Sequence, residues 1–257
     1  MPTKMGGGIV GILVLLAVLF LPKLLGGESQ PSVSSDGETS DDTTCDSEIE
    51  QIVCGATEDV QVYWEDAYPE TFGREYDDTE TVFFSEATGT NCGQASAAVG
   101  PFYCPADELV YFDLDFLQQL QNQFGATGDL AAQYIVAHEY GHHVQNLTGV
   151  SEQVRQFQSA NPSRANAASI ALELQADCFA GTWANSADER GLLGQGEINE
   201  ALNAAAAVGD DRIQEQTQGR VNPESWTHGS SEQRVQWFRR GYETGDPRVC
   251  EETFEEL

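Results

Sequence analysis

The segment His138-Glu139-Tyr140-Gly141-His142 constrains this chain more than any other. Its flanks, YIVA before and VQNL after, are apolar, as in a buried helix. Residues four apart are just over one helical turn apart, so His138 and His142 project from one face. Three of the four histidines in the chain, His138, His142 and His143, fall here. Paired imidazoles on a buried face need partners, and a shared divalent ion is one. Glu139 stands beside them, able to reach a water on such an ion rather than the ion itself. A Zn2+ hydrolase also needs a third protein ligand and an open coordination position. The longer signature that ends in a third histidine is excluded, because Gln145 and Thr148 stand where it requires Gly and His. His143 has no ligand role in this pattern and is assigned to the surface or to packing.

A third ligand is offered further on. The run IALELQADCFAGTWA is largely apolar yet carries Glu173 and Asp177, again four apart on one helical face. Buried carboxylates are costly unless paired or metal-bound. Glu173 as the third ligand supplies that reason. Asp177, one turn on, is placed to accept the free N–H of a ligand histidine and fix its tautomer. The remaining histidine, His228, lies in Trp226-Thr227-His228-Gly229, shortly before Arg234. Either His228 or Arg234 is a candidate to stabilise an oxyanion or to anchor the metal helix; a purely capping and salt-bridging segment is the alternative.

The rest of the pattern is α+β. Apolar spacing predicts helices over 49–68, 128–147, 162–187 and 197–208, with a short helix over 116–124. Ser230 and Gln233 form a capping box that opens another over 230–242. The stretches 81–85 and 109–114 are rich in β-branched and aromatic residues and read as strands. A small antiparallel sheet followed by a mainly helical half is therefore expected.

Met5–Pro22 is an uncharged, mostly apolar run flanked by Lys4 and Lys23, the only lysines in the chain. At ~1.5 Å per residue it covers most of a ~30 Å hydrocarbon core, so an uncleaved single transmembrane helix within 1–25 is expected. No small-residue cleavage site follows, which disfavours a removed signal peptide. Residues 26–46 are Gly/Ser/Asp/Thr-rich and read as a flexible acidic tether; residues 47–257 form the folded domain. The six cysteines all follow the apolar run and include no C-x-x-C pair, so they suit disulfides in an oxidising compartment; buried free thiols are the alternative. Cys92–Cys104 is paired because the loop is short, and Cys45–Cys54 and Cys178–Cys250 complete the set, out of 15 possible connectivities for six cysteines. With 42 acidic residues against 12 basic ones and a net charge of −30, the chain lacks the Lys/Arg surface that nucleic acid requires. The acid excess reads as a solvated surface, whether it reflects habitat salinity or genome composition.

At this point the residues carry a resemblance. HExxH followed by ExxxD on a later helix is similar to the gluzincin arrangement of zinc peptidases. More specifically, GPFYCPAD, AHEYGHHVQN, LELQADCFAGTWA and THGSSEQRVQWFRRGYETGD, in that order, resemble the putative neutral zinc metallopeptidase family. The resemblance spans about Val60 to Phe254 and implies a zincin-like fold and a membrane-linked zinc endopeptidase; the dispersed cysteines place its catalytic domain outside the cytoplasm. Peptide bonds would be hydrolysed by Glu-assisted attack of a zinc-bound water. His138, His142 and Glu173 would bind one Zn2+, Glu139 would be the general base, and Asp177 would orient a ligand. Peptide or protein substrates of this class lie along an exposed strand edge. Gly100–Asp107, with Gly100, Phe102 and Tyr103, is the candidate, stiffened by Cys92–Cys104. The alternatives are a zinc-stabilised, non-catalytic scaffold and a zinc amidase of cell-wall peptides.

Overall fold

The structure, a computed structural model, describes residues 45–96, 100–113, 116, 129–194 and 196–254. The expected transmembrane helix, most of the tether, and the expected helix over 116–124 beyond Phe116 lie outside the described residues. Among the described residues, no helix is long and apolar enough to cross a membrane.

Helix α1 spans Glu48–Phe72. Ser47 accepts from the Glu50 backbone N–H, and the Glu50 carboxylate accepts from the Ser47 N–H, so two otherwise orphaned donors are satisfied. Ile49, Val53, Ala56, Val60, Trp64 and Tyr68 recur at helical spacing and form its buried face. The helix runs past Pro69, where the sequence pattern predicts its end, and stops at Gly73 in the left-handed region. Its last turn continues the apolar face, with Tyr68 packing on both Phe72 and Tyr76.

Five strands follow: β1 Glu80–Phe84, β2 Ala87–Thr90, β3 Gly93–Ser96, β4 Phe102–Cys104 and β5 Leu109–Asp113. The sheet corrects the antiparallel expectation. Its order is β1-β5-β4, with β1 and β5 parallel and β4 and β5 antiparallel; β2 and β3 form a separate antiparallel hairpin. Parallel partners need a crossover of a dozen or more residues. The segment between β1 and β5 provides one by carrying both the hairpin and β4. Strand β4 is an edge of the described sheet, but Phe102, Tyr103 and Cys104 are all buried, which corrects the expected exposed edge.

The helical half comprises α2 Asp129–Thr148, α3 Val150–Ala160, α4 Ala165–Glu189, α5 Glu197–Ala207, α6 Asp210–Gln218 and α7 Ser231–Thr244, closed by a 3-10 segment, Pro247–Phe254. The expected helix from Pro162 opens with a separate 3-10 turn, Pro162–Arg164, before α4 begins. Helix α4 is the hub, packed against α2, α3, α7 and the 3-10 segment. Three disulfides, Cys45–Cys54, Cys92–Cys104 and Cys178–Cys250, match the expected pairing. The last of these pins the C-terminal segment to α4.

Helices α4 and α7 cross at two glycines. A Cβ on Gly241 would lie 2.0 Å from the Cys178 carbonyl oxygen, and one on Gly181 would lie 2.0 Å from that of Phe238. Since both obstacles are backbone, neither can rotate away. Gly241→Ala is therefore expected to destabilise the fold by about 1–3 kcal/mol, the range for overpacking a close interface. A thermal midpoint unchanged from wild type would show that this helix pair separates freely.

Candidate metal centre

The site depends on how closely α2 and α4 approach. Gly141, inside the HExxH segment, faces Ala176 across the helix pair, and a Cβ there would lie 3.0 Å from the Ala176 Cα. This contact brings Glu173 of α4 over His138 and His142 of α2. Glu173 Oε2 lies 3.2 Å from His138 Nε2, and Oε1 lies 3.7 Å from His142 Nε2. One donor atom from each of the three residues falls within 4.8 Å of the others.

Both imidazoles are held from behind. His138 Nδ1 is 2.9 Å from Asp177 Oδ1, and His142 Nδ1 is 2.8 Å from Gln145 Oε1. Each neighbour is an acceptor oxygen, so each ring donates from Nδ1 and turns its Nε2 toward Glu173. Asp177 is fully buried. Arg234 of α7 donates to it twice, from Nε to Oδ2 at 2.7 Å and from Nη2 to Oδ1 at 2.8 Å, and the Tyr134 hydroxyl donates to Oδ1 at 2.5 Å.

The electrostatics follow from these contacts. Burial would raise the pKa of Asp177, but Arg234 and His138 outweigh it and hold the carboxyl below its ordinary range. Burial would also raise Glu173; His228, His142 and His138 together bring it well below the ordinary value. Burial lowers His138, yet Asp177 and Glu173 dominate and push it up to about 9. A pocket whose anions hold a proton this firmly also favours a cation. Two imidazole nitrogens and one carboxylate, with a cleft on the remaining side, form a donor set that suits zinc.

Glu139, His228 and Arg234 line that cleft with the three candidate ligands. The loop bearing His228 is gathered by Asp210, the first residue of α6, whose Oδ2 accepts the N–H groups of Thr227, His228 and Gly229 at 2.7, 2.7 and 3.1 Å. His228 Nδ1 sits 3.0 Å from Thr227 Oγ1 and 3.4 Å from Asp210 Oδ1. Phe102 and Tyr103 of β4 also line the cleft; Gly100 is buried at the entry to β4, outside the cleft lining. The Tyr103 hydroxyl donates to His143 Nδ1 at 3.0 Å and accepts from Asn146 at 3.1 Å. His143 in turn donates from Nε2 to the Asp77 carbonyl at 2.7 Å. It is therefore a buried tie between α2, β4 and the segment before β1, and not a surface residue.

Three residues of this centre escape sequence reasoning. Tyr134 stands one turn before His138, a spacing open to reading. Gln145 occupies a position where the sequence pattern registers only the absence of glycine. Asp210 carries no signal beyond its place after Gly209.

A helix-borne HExxH whose histidines meet a glutamate from a later buried helix defines a candidate mononuclear zinc site in an α+β protein. The chain belongs to the family described as putative neutral zinc metallopeptidase, whose model matches residues 2–254. It is 42% identical over 254 residues to the uncharacterized protein YpfJ of Escherichia coli K12, covering 97% of this chain and 87% of that protein. It is 53% identical over 179 residues to the uncharacterized protein Rv2575 of Mycobacterium tuberculosis, covering 65% of this chain and 60% of that protein. No solved structure matches the chain.

Proposed function

We propose that the chain is a zinc-dependent endopeptidase. The observation that carries this reading is the convergence of His138, His142 and Glu173 on one point of a cleft that Glu139 also lines. Bound there, zinc supplies Lewis acidity that polarises a peptide carbonyl and acidifies water. Glu139 takes the proton from the attacking water and passes it to the leaving amine. Arg234 is committed to Asp177, which leaves His228 to stabilise the developing oxyanion, its Nδ1 occupied by Thr227 and Asp210. Asp177 orients His138. An extended substrate adds along β4 where it lines the cleft, beside Phe102 and Tyr103, through main-chain hydrogen bonds that tolerate varied sequence.

We place the catalytic domain outside the cytoplasm, on a membrane anchor formed by the apolar run. Three disulfides and the length of that run support this placement.

The test offers the zinc-loaded full chain an unfolded protein and cell-wall peptides side by side. Cleavage of the protein, lost on chelation and restored by zinc, is expected. Cleavage of the cell-wall peptides alone would make the chain an amidase. Retention of zinc with cleavage of neither would make it a scaffold.

A further inference from the structure

Gln145 is completely buried three residues beyond His142, and its amide can point only one way. Its Nε2 donates to the Leu172 carbonyl at 2.6 Å and to Gln175 Oε1 at 3.1 Å. Its Oε1 is thereby turned to His142 Nδ1, 2.8 Å away. Gln175, also buried, is oriented in the same sense, because its own Nε2 donates to the Cys250 carbonyl at 3.4 Å. That carbonyl belongs to the C-terminal 3-10 segment, which Cys250 fixes to α4 through Cys178. Three hydrogen bonds therefore run in one polarised row. His142 donates to Gln145, Gln145 donates to Gln175, and Gln175 donates to a backbone carbonyl held by a disulfide. Hydrogen bonds in such a row polarise one another in the same direction.

We infer that Gln145 is the positioning residue of the His142 ligand, keeping its proton on Nδ1 and its Nε2 lone pair toward Glu173, with Gln175 and the disulfide-held Cys250 carbonyl fixing the orientation of the Gln145 amide. The two ligand histidines are thus secured by unlike devices. His138 is backed by a charged cluster of Asp177, Arg234 and Tyr134, whereas His142 is backed by a neutral row of amides. The neutral device adds no further buried anion to a centre that already holds Glu139, Glu173 and Asp177. This inference rests on the zinc-site reading and not on hydrolysis.

The test measures zinc affinity of the full chain by competition with a chromophoric chelator. Gln145→Met fills the same space without an acceptor and is expected to weaken zinc binding by about 10–100-fold, the range for removing a partner behind a metal-bound histidine. Gln145→Glu keeps an acceptor oxygen for His142 but removes the donors to Leu172 and Gln175 and buries a further carboxyl, so its thermal midpoint is expected to fall while the zinc affinity of its folded form stays above that of Gln145→Met. Equal zinc affinity in wild type and Gln145→Met overturns the inference. A second measurement needs no variant. A long-range proton–nitrogen spectrum of the zinc-loaded wild type is expected to show His142 protonated at Nδ1; protonation at Nε2 overturns the inference. A wild-type chain that binds no zinc overturns the underlying site reading, whereas zinc binding without peptide cleavage leaves the inference standing.

Discussion

Glu139→Gln is expected to lower peptide hydrolysis by about 10²–10⁴-fold, the usual contribution of a positioned general base. The substitution preserves shape and removes only the ability to take a proton. Glu139 is buried at the cleft wall and is not one of the three convergent donors. Zinc content and thermal midpoint should therefore stay at wild-type values while turnover collapses. Parallel measurement of kcat/KM, bound zinc and melting separates this outcome from misfolding. A variant that keeps more than about a tenth of wild-type turnover would remove Glu139 from proton transfer, since a lost base costs at least tenfold more than that.

Arg234→Met should have the largest effect on stability, about 3–5 kcal/mol, the range for breaking a buried ion pair by removing one partner. Arg234 and Asp177 are 3% and 0% exposed, so water cannot take the place of the guanidinium. The bland alternative is that the pair contributes only packing. The two ideas differ in the double variant. If the uncompensated carboxylate is what destabilises Arg234→Met, then Asp177→Asn in that background should recover part of the loss, giving a strongly non-additive cycle. If only packing is lost, the two effects should add. Chemical denaturation of the four proteins decides between them. Zinc affinity should also fall in Arg234→Met, because Asp177 without its cation is more readily protonated and then no longer accepts firmly from His138.

Long, patterned elements are legible in the sequence. The apolar spacing of α1, α2, α4 and α5 locates those helices to within a few residues, and the Ser230/Gln233 capping box marks the start of α7. The carboxylates Glu173 and Asp177 stand out because they interrupt an apolar run. What stays hidden has identifiable causes. Helix α3 follows α2 after the single residue Gly149, and its Val150, Val154 and Phe157 repeat is diluted by polar neighbours. Helix α6 buries Ile213 as its only apolar side chain and offers no periodicity. The parallel pairing of β1 with β5 is a property of the path between them, which strand propensity does not encode. The partners behind the candidate ligands are only half legible. A charged residue in an apolar helix calls for explanation, whereas a buried glutamine such as Gln145 or Gln175 does not.

Two imidazoles of α2 and one carboxylate of α4 are proposed to hold a single divalent cation. The most direct measurement is the metal content of the purified full chain, compared with its His142→Ala and Glu173→Gln variants after identical dialysis against trace zinc. One zinc ion per wild-type chain, with either variant depleted, is the predicted result. Wild-type protein that retains no metal, or variants that retain it equally, would contradict the claim.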